Sequence, residues 1–169
     1  RKQNLDFQEI ETDAGLPRLR RVRVIDDALI IVGDHGFAMQ LDGSNAQVLN
    51  NVARYDLHDA LADNDETWFC GDCGSVMRLG DSEVLAKGSV SPDPSQWICL
   101  EEGATNGTLR TVVPLEPGHL IAAGDGGRIA HIKGGAVRWE QLPEKLRVHT
   151  LWASSPNNVI AGCEAGTLM

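Results

Sequence analysis

A short motif recurs four times along this 169-residue chain, and its spacing restricts the folds open to it more than any other feature. Each copy is an apolar run, a Gly-Asp-x-Gly turn and a second apolar run. It reads LIIVGDHGFAMQL at 29–41, TWFCGDCGSVMRL at 67–79 and LIAAGDGGRIAHI at 120–132, with a looser copy, VIAGCEAGTLM, at 159–169. The leading glycines Gly33, Gly71, Gly124 and Gly162 fall 38, 53 and 38 residues apart, so equal units are interrupted once by 15 residues. That insertion lies within 86–108, a Pro-, Ser- and Gly-rich stretch.

Around the motif each unit reads strand, turn, strand, tight turn, strand. Apolar side chains stand eleven residues before each glycine, at Val22, Ala60, Val113 and Leu151, and polar or Pro-bearing turns such as LEPGH and SSPNN follow them. A fourth strand fits AQVLNNV at 46–52 and AVRWEQL at 136–142. The second strand is apolar at consecutive positions, as in Leu29 to Val32, which predicts burial on both faces. Four-stranded units of about 40 residues whose middle strands are covered on both sides describe an all-β β-propeller, of about four antiparallel blades. The units run approximately 13–50, 51–101, 102–142 and 143–169, with residues 1–12 as an outer strand of a preceding or closing blade. The best helical stretch, RYDLHDALA at 54–62, falls where the other units place their first strand. The chain starts at Arg1 on a fourth strand and stops within a third, so the expectation is one section of a larger propeller.

The last unit, LWASSPNNVIAGCEAGTLM at 151–169, resembles a bacterial propeller repeat: Trp, small residues, Pro-Asn-Asp-Val, an apolar pair, Gly-x-x-Gly, then Thr and an aliphatic residue. The wider group includes photosystem II assembly-factor-like propellers and other members of the WD40/YVTN-like superfamily. The resemblance implies a binding platform more than a chemistry. The units lack the Ser-x-Asp-x-Gly-x-Thr-Trp box of sialidase-type propellers and the Trp-Asp ending of true WD40 repeats.

Charge narrows the partners. The net charge of −9 works against non-specific nucleic-acid binding, which depends on neutralising phosphates. No apolar run approaches the length of a transmembrane helix, and no signal peptide is visible. Four cysteines without an evident pairing suit a reducing compartment, so a cytoplasmic setting is expected. The basic cluster Arg18, Arg20, Arg21 and Arg23 reads either as an anion contact or as a polar strand face held by the chain's own acidic residues.

Asp34, Asp72 and Asp125 recur at one place in successive units, so a propeller would carry them on one face, with His35 beside the first. They read as a carboxylate arc for cations or basic segments, or as repeated turn chemistry. Cys70 and Cys73 form a Cys-x-x-Cys that alone suggests a metal or redox pair, although each stands where other units have Val32, Ala123, His35 or Gly126. Trp97 belongs to the insertion and reads as a partner-docking loop or as the fourth strand of the second unit. No His-Glu-x-x-His, Gly-x-Ser-x-Gly or Gly-x-x-x-x-Gly-Lys pattern occurs. The expectation is a non-catalytic module without cofactor that binds a protein partner or the rest of its parent chain. The alternatives are a carbohydrate-binding or hydrolytic acidic face, and a Cys70/Cys73 metal or redox site.

Overall fold

The computed structural model describes residues 17–25, 27–43, 45–49, 54–63, 66–79, 97–101 and 107–169. The expected outer strand at 1–12 and most of the 86–108 insertion lie outside them. The first blade is β1 (Leu19–Ile25), β2 (Ala28–Gly33), β3 (Ala38–Asp42) and β4 (Asn45–Leu49); the second is β5 (Leu57–Asp63), β6 (Glu66–Gly71), β7 (Val76–Leu79) and β8 (Trp97–Glu101). The third is β9 (Leu109–Glu116), β10 (His119–Gly124), β11 (Arg128–Lys133) and β12 (Ala136–Gln141). These three sheets run in simple sequence order, every pair antiparallel. The fourth pairs β13 (Val148–Ser155) with β14 (Asn158–Cys163), and a bridge from Gly162 to Leu168 starts a third strand. The best helical stretch by sequence, 54–62, is strand from Leu57 onward.

The first strands β1, β5, β9 and β13 contact one another in order, so the blades fan around a shared axis. The second strands sit between neighbouring blades, and residues 67–71 and 120–124 are buried without interruption. Alternate residues therefore serve two different junctions. Ile30 and Val32 face forward onto Leu57, Ala60 and Phe69. Trp68 and Cys70 face forward onto Leu109, Val112 and Ala122, and Ile121 and Ala123 onto Val148, Leu151 and Ala161. Each fully buried Leu or Phe contributes about 1.5–3 kcal/mol, so stability resides in these three junctions.

The leading glycine of each motif has a steric cause. Its φ is extended, between −164° and −175°. A β-carbon at Gly33, Gly71 or Gly124 would collide with the carbonyl of Arg18, Asp56 or Thr108. Those same carbonyls accept the next amide: Asp34 N donates to Arg18 O at 2.9 Å, Asp72 N to Asp56 O at 3.0 Å and Asp125 N to Thr108 O at 2.8 Å. The turn then needs two left-handed residues in succession, the second always glycine. They are His35-Gly36, Cys73-Gly74, Gly126-Gly127 and Ala165-Gly166, with φ between 57° and 72°.

This geometry changes the alignment of the fourth unit. Glu164 N donates to Arg147 O at 2.9 Å, so Glu164 takes the place of Asp34 and Cys163, not Gly162, the place of Gly33. Cys163 fits because its φ of −106° turns away from the close approach that the glycines make. Glu164 thereby supplies the turn carboxylate of this unit, one residue later than an alignment on Gly162 would put it. In the third blade Val112, not Val113, is the buried partner that corresponds to Ala60, because Val112 lies opposite Ala122 as Ala60 lies opposite Phe69.

Candidate functional site: the mouth of the central channel

The starts of the four first strands converge on a cavity of about 270 Å³ lined by Arg18, Leu19, Arg20, Arg21, His58, Arg110 and His149. Among the described residues no carboxylate is in the lining. A second cavity, of about 370 Å³, lies at the other end of the same strands, where Val24, Ala62, Val113 and Pro114 make it more apolar. Between them stands Asp59, fully buried. Its carboxylate accepts Arg23 Nε at 2.8 Å and Arg23 Nη2 at 2.7 Å, with Arg21 Nε at 3.5 Å. It also accepts Ala60 N at 3.0 Å and Val112 N at 3.1 Å. One side chain of the second blade thereby holds the first and third.

A ring of ion pairs surrounds the mouth. The turn acids Asp34, Asp72 and Asp125 do lie one per blade at the same end, and each has a basic partner on its own blade's first strand. Arg20 binds Asp34, His58 Nε2 lies 2.7 Å from Asp72 Oδ1, and Arg110 Nε donates to Asp125 Oδ1 at 2.8 Å. His149 stands at the same place in the fourth blade. A second set of contacts crosses to the next blade. Arg20 Nη2 donates to Asp56 at 2.6 Å, Thr108 Oγ1 to Asp72 at 2.8 Å and Arg147 Nε to Asp125 at 2.8 Å. The backbone N of His35 donates to Asp56 at 2.9 Å, so His35 joins the ring through its main chain.

These pairings set the protonation states. Burial pushes the Asp125 carboxyl up, but Arg110 and Arg147 outweigh it and hold the group below its ordinary value. Asp56 is likewise lowered: burial opposes, and the His35 amide and Arg20 prevail. His58 is lowered by burial despite its bond to Asp72. In the basic cluster, Arg20, Arg21 and Arg23 all face acids of the chain itself, whereas Arg18 is exposed at the rim.

The other sequence candidates lie elsewhere. Cys70 is buried and faces the junction with the third blade; burial pushes its thiol well above the ordinary range, which disfavours the thiolate needed for metal or redox chemistry. Cys73 is in the tight turn, and Cys70, Cys73 and Cys163 are free thiols. Among the described residues no three His, Cys, Asp or Glu side chains converge as metal ligands. Trp97 opens β8 opposite Leu79, so of the two sequence readings the backbone takes the fourth strand, away from the mouth. The sequence reading missed His58, Asp59, Arg110, Arg147 and His149. A signal for some existed: Arg20, His58, Arg110 and His149 each precede their turn acid by 14 or 15 residues.

No family model matches the sequence, and no curated protein matches it. Solved structures do. The designed protein Ika4 superposes with a TM-score of 0.68 at 13 % identity, covering 96 % of each chain. The WD40 propeller domain of Doa1 gives 0.67 at 10 % identity, over 89 % of this chain and 49 % of that one. A YCF48 structure with bound D1 peptide gives 0.65 at 15 % identity, over 90 % and 50 %. The fold is a WD40-like β-propeller. The chain spans about half the length of the Doa1 and YCF48 structures it matches.

Proposed function

We propose that this propeller is a non-catalytic binding module whose channel mouth receives an acidic segment of a partner protein. The observation that carries the reading is the mouth itself, a cavity lined by four arginines and two histidines on a chain of net charge −9. The guanidinium groups of Arg20, Arg21 and Arg110 are pre-ordered by the carboxylates they face, which reduces the side-chain entropy lost on binding. A fold neighbour, YCF48, has been solved with a peptide bound. The pairing of Asp34, Asp72 and Asp125 with basic side chains supports the non-catalytic reading over an acidic hydrolytic face, which needs carboxylates at liberty to act as acid and base.

The test is fluorescence anisotropy with labelled acidic and neutral peptides of equal length at two salt concentrations. Acidic peptides should bind more tightly, weaken with salt, and lose most of their affinity to Arg18→Glu, a rim change that breaks no ion pair among the described residues. Equal binding of both peptides, or an unaffected Arg18→Glu protein, would overturn the reading.

The remainder of a parent chain is the second partner, and a specific contrast favours it. Leu19 is 43 % exposed and Val22 53 %, whereas their counterparts Leu57 and Ala60 in the second blade are at 0 %. At the other end Ile160 is 43 % exposed, against 1 % for its counterpart Ile30. These faces have the composition of blade junctions, and further blades would cover them. Adding the flanking coding sequence should raise the melting temperature and protect β1 and β14 amides from exchange; no change in either would refute it.

A further inference from the structure

We propose that His119 and His131, on the two middle strands of the third blade, together hold a divalent transition-metal ion of the zinc or copper class. The two residues are diagonal neighbours on one face, since His119 lies opposite Lys133 and His131 opposite Ile121. His119 Nε2 and His131 Nδ1 face each other at 3.4 Å, long for a hydrogen bond, with ring centroids 5.6 Å apart and the rings tilted by 39°. The outer nitrogens point at carboxylates: His131 Nε2 lies 2.8 Å from Glu140 Oε2, and His119 Nδ1 lies 3.5 Å from Glu116 Oε1.

Glu140 only accepts hydrogen bonds, so His131 Nε2 carries the proton and the inner Nδ1 a lone pair; His119 takes the matching tautomer when its proton is on Nδ1, on the side of Glu116. In that pair of tautomers two neutral rings present lone pairs to each other, an arrangement that a positive ion between them stabilises. A single proton would do this by charging one ring. A metal ion does it with both rings neutral and both glutamate bonds kept. Two nitrogens on a tetrahedral zinc, each at about 2.0–2.1 Å, stand about 3.4 Å apart. Imidazole suits zinc, copper and nickel, and a carboxylate behind each ligand is the usual support that fixes the tautomer and raises basicity. Lys133 Nζ, 3.1 Å from Glu116, and Arg138, opposite His131, oppose the added charge; Glu116 and Glu140 offset it. With two protein ligands the remaining positions belong to water, so the site is open and exchangeable.

The test titrates zinc into the full chain, read by calorimetry and by long-range proton–nitrogen spectra of the imidazoles. One ion should bind at micromolar concentration, shifting His119 Nε2 and His131 Nδ1 and leaving the outer nitrogens protonated. His119→Gln and His131→Gln should each abolish those shifts, Glu140→Ala should weaken affinity about 10–100-fold, and His35→Gln should change nothing. If zinc up to millimolar concentration leaves both inner nitrogens unshifted, the proton is the bridging ion and the proposal fails. Binding by both glutamine variants at wild-type affinity would overturn it equally. If a variant does not fold, the wild-type nitrogen shifts decide alone.

Discussion

Replacing Asp59 by alanine removes a side chain that ties three blades together at the axis. The carboxylate is fully buried and accepts two bonds from Arg23 on β1 and one from the Val112 amide on β9. Without it the Arg23 guanidinium and the buried Val112 amide lose their acceptor. Breaking a buried charge pair by deleting one partner costs about 3–5 kcal/mol. Arg23 keeps a 38 % exposed side chain and can recover part of its hydration, which places the expected loss near the lower end of that range. For a chain of this size each kcal/mol shifts the melting temperature by about 2–4 °C, so the midpoint should fall by about 6–12 °C. The assay is thermal and urea denaturation followed by circular dichroism, for Asp59→Ala, Arg23→Ala and the double variant. The coupling energy should exceed about 1 kcal/mol, because the two residues act as one unit. A loss below 1 kcal/mol for Asp59→Ala, or strictly additive single changes, would show that the axial clasp does not hold the blades.

Further outcomes follow from the repeat and the charges. Leu57→Ala and Leu109→Ala, at buried junction positions, should each cost about 2–5 kcal/mol, whereas Leu19→Ala at the matching exposed position should cost under about 1 kcal/mol, as measured by urea denaturation. Ala165 occupies the left-handed position that the third blade fills with Gly126, so Ala165→Gly should raise stability by about 0.5–1 kcal/mol in the same assay. His58 and Asp125 both have folded values below their ordinary ones near 6.5 and 3.8, so the folded chain binds fewer protons and acid destabilises it. The His58 contribution is complete above pH 6.5 and shrinks as pH falls below it; the Asp125 contribution is complete above 3.8 and shrinks as pH falls through its folded value. Melting curves of His58→Gln should therefore be flatter than wild type between pH 7 and 5, and those of Asp125→Asn flatter below pH 4.

The blade pattern was legible in the chain because it is written in local terms. Gly33, Gly71 and Gly124 mark a close backbone approach, Gly36, Gly74 and Gly127 a left-handed turn, and the apolar runs before them a strand buried on both faces. The fourth unit was misaligned by one residue because a glycine, Gly162, happens to sit next to the position that Cys163 fills with a different φ. The mouth was barely legible. Arg20 and Asp34 could be paired by counting along one blade, but Arg20 with Asp56, Arg23 with Asp59 and Thr108 with Asp72 are each 36 residues apart, and Asp59 with Val112 is 53.

The sequence by itself determined the repeat, its strands and the end of each blade at which the turn acids lie, since steric and periodic rules act over a few residues. Only the tertiary structure decided which charges meet. Blade curvature brings first strands from separate units to within hydrogen-bond reach at the axis, and burial there sets which acid each arginine neutralises. The same arrangement converted three aspartates from a free acidic arc into the outer half of an ion-pair ring, and left the arginines and histidines to line the mouth.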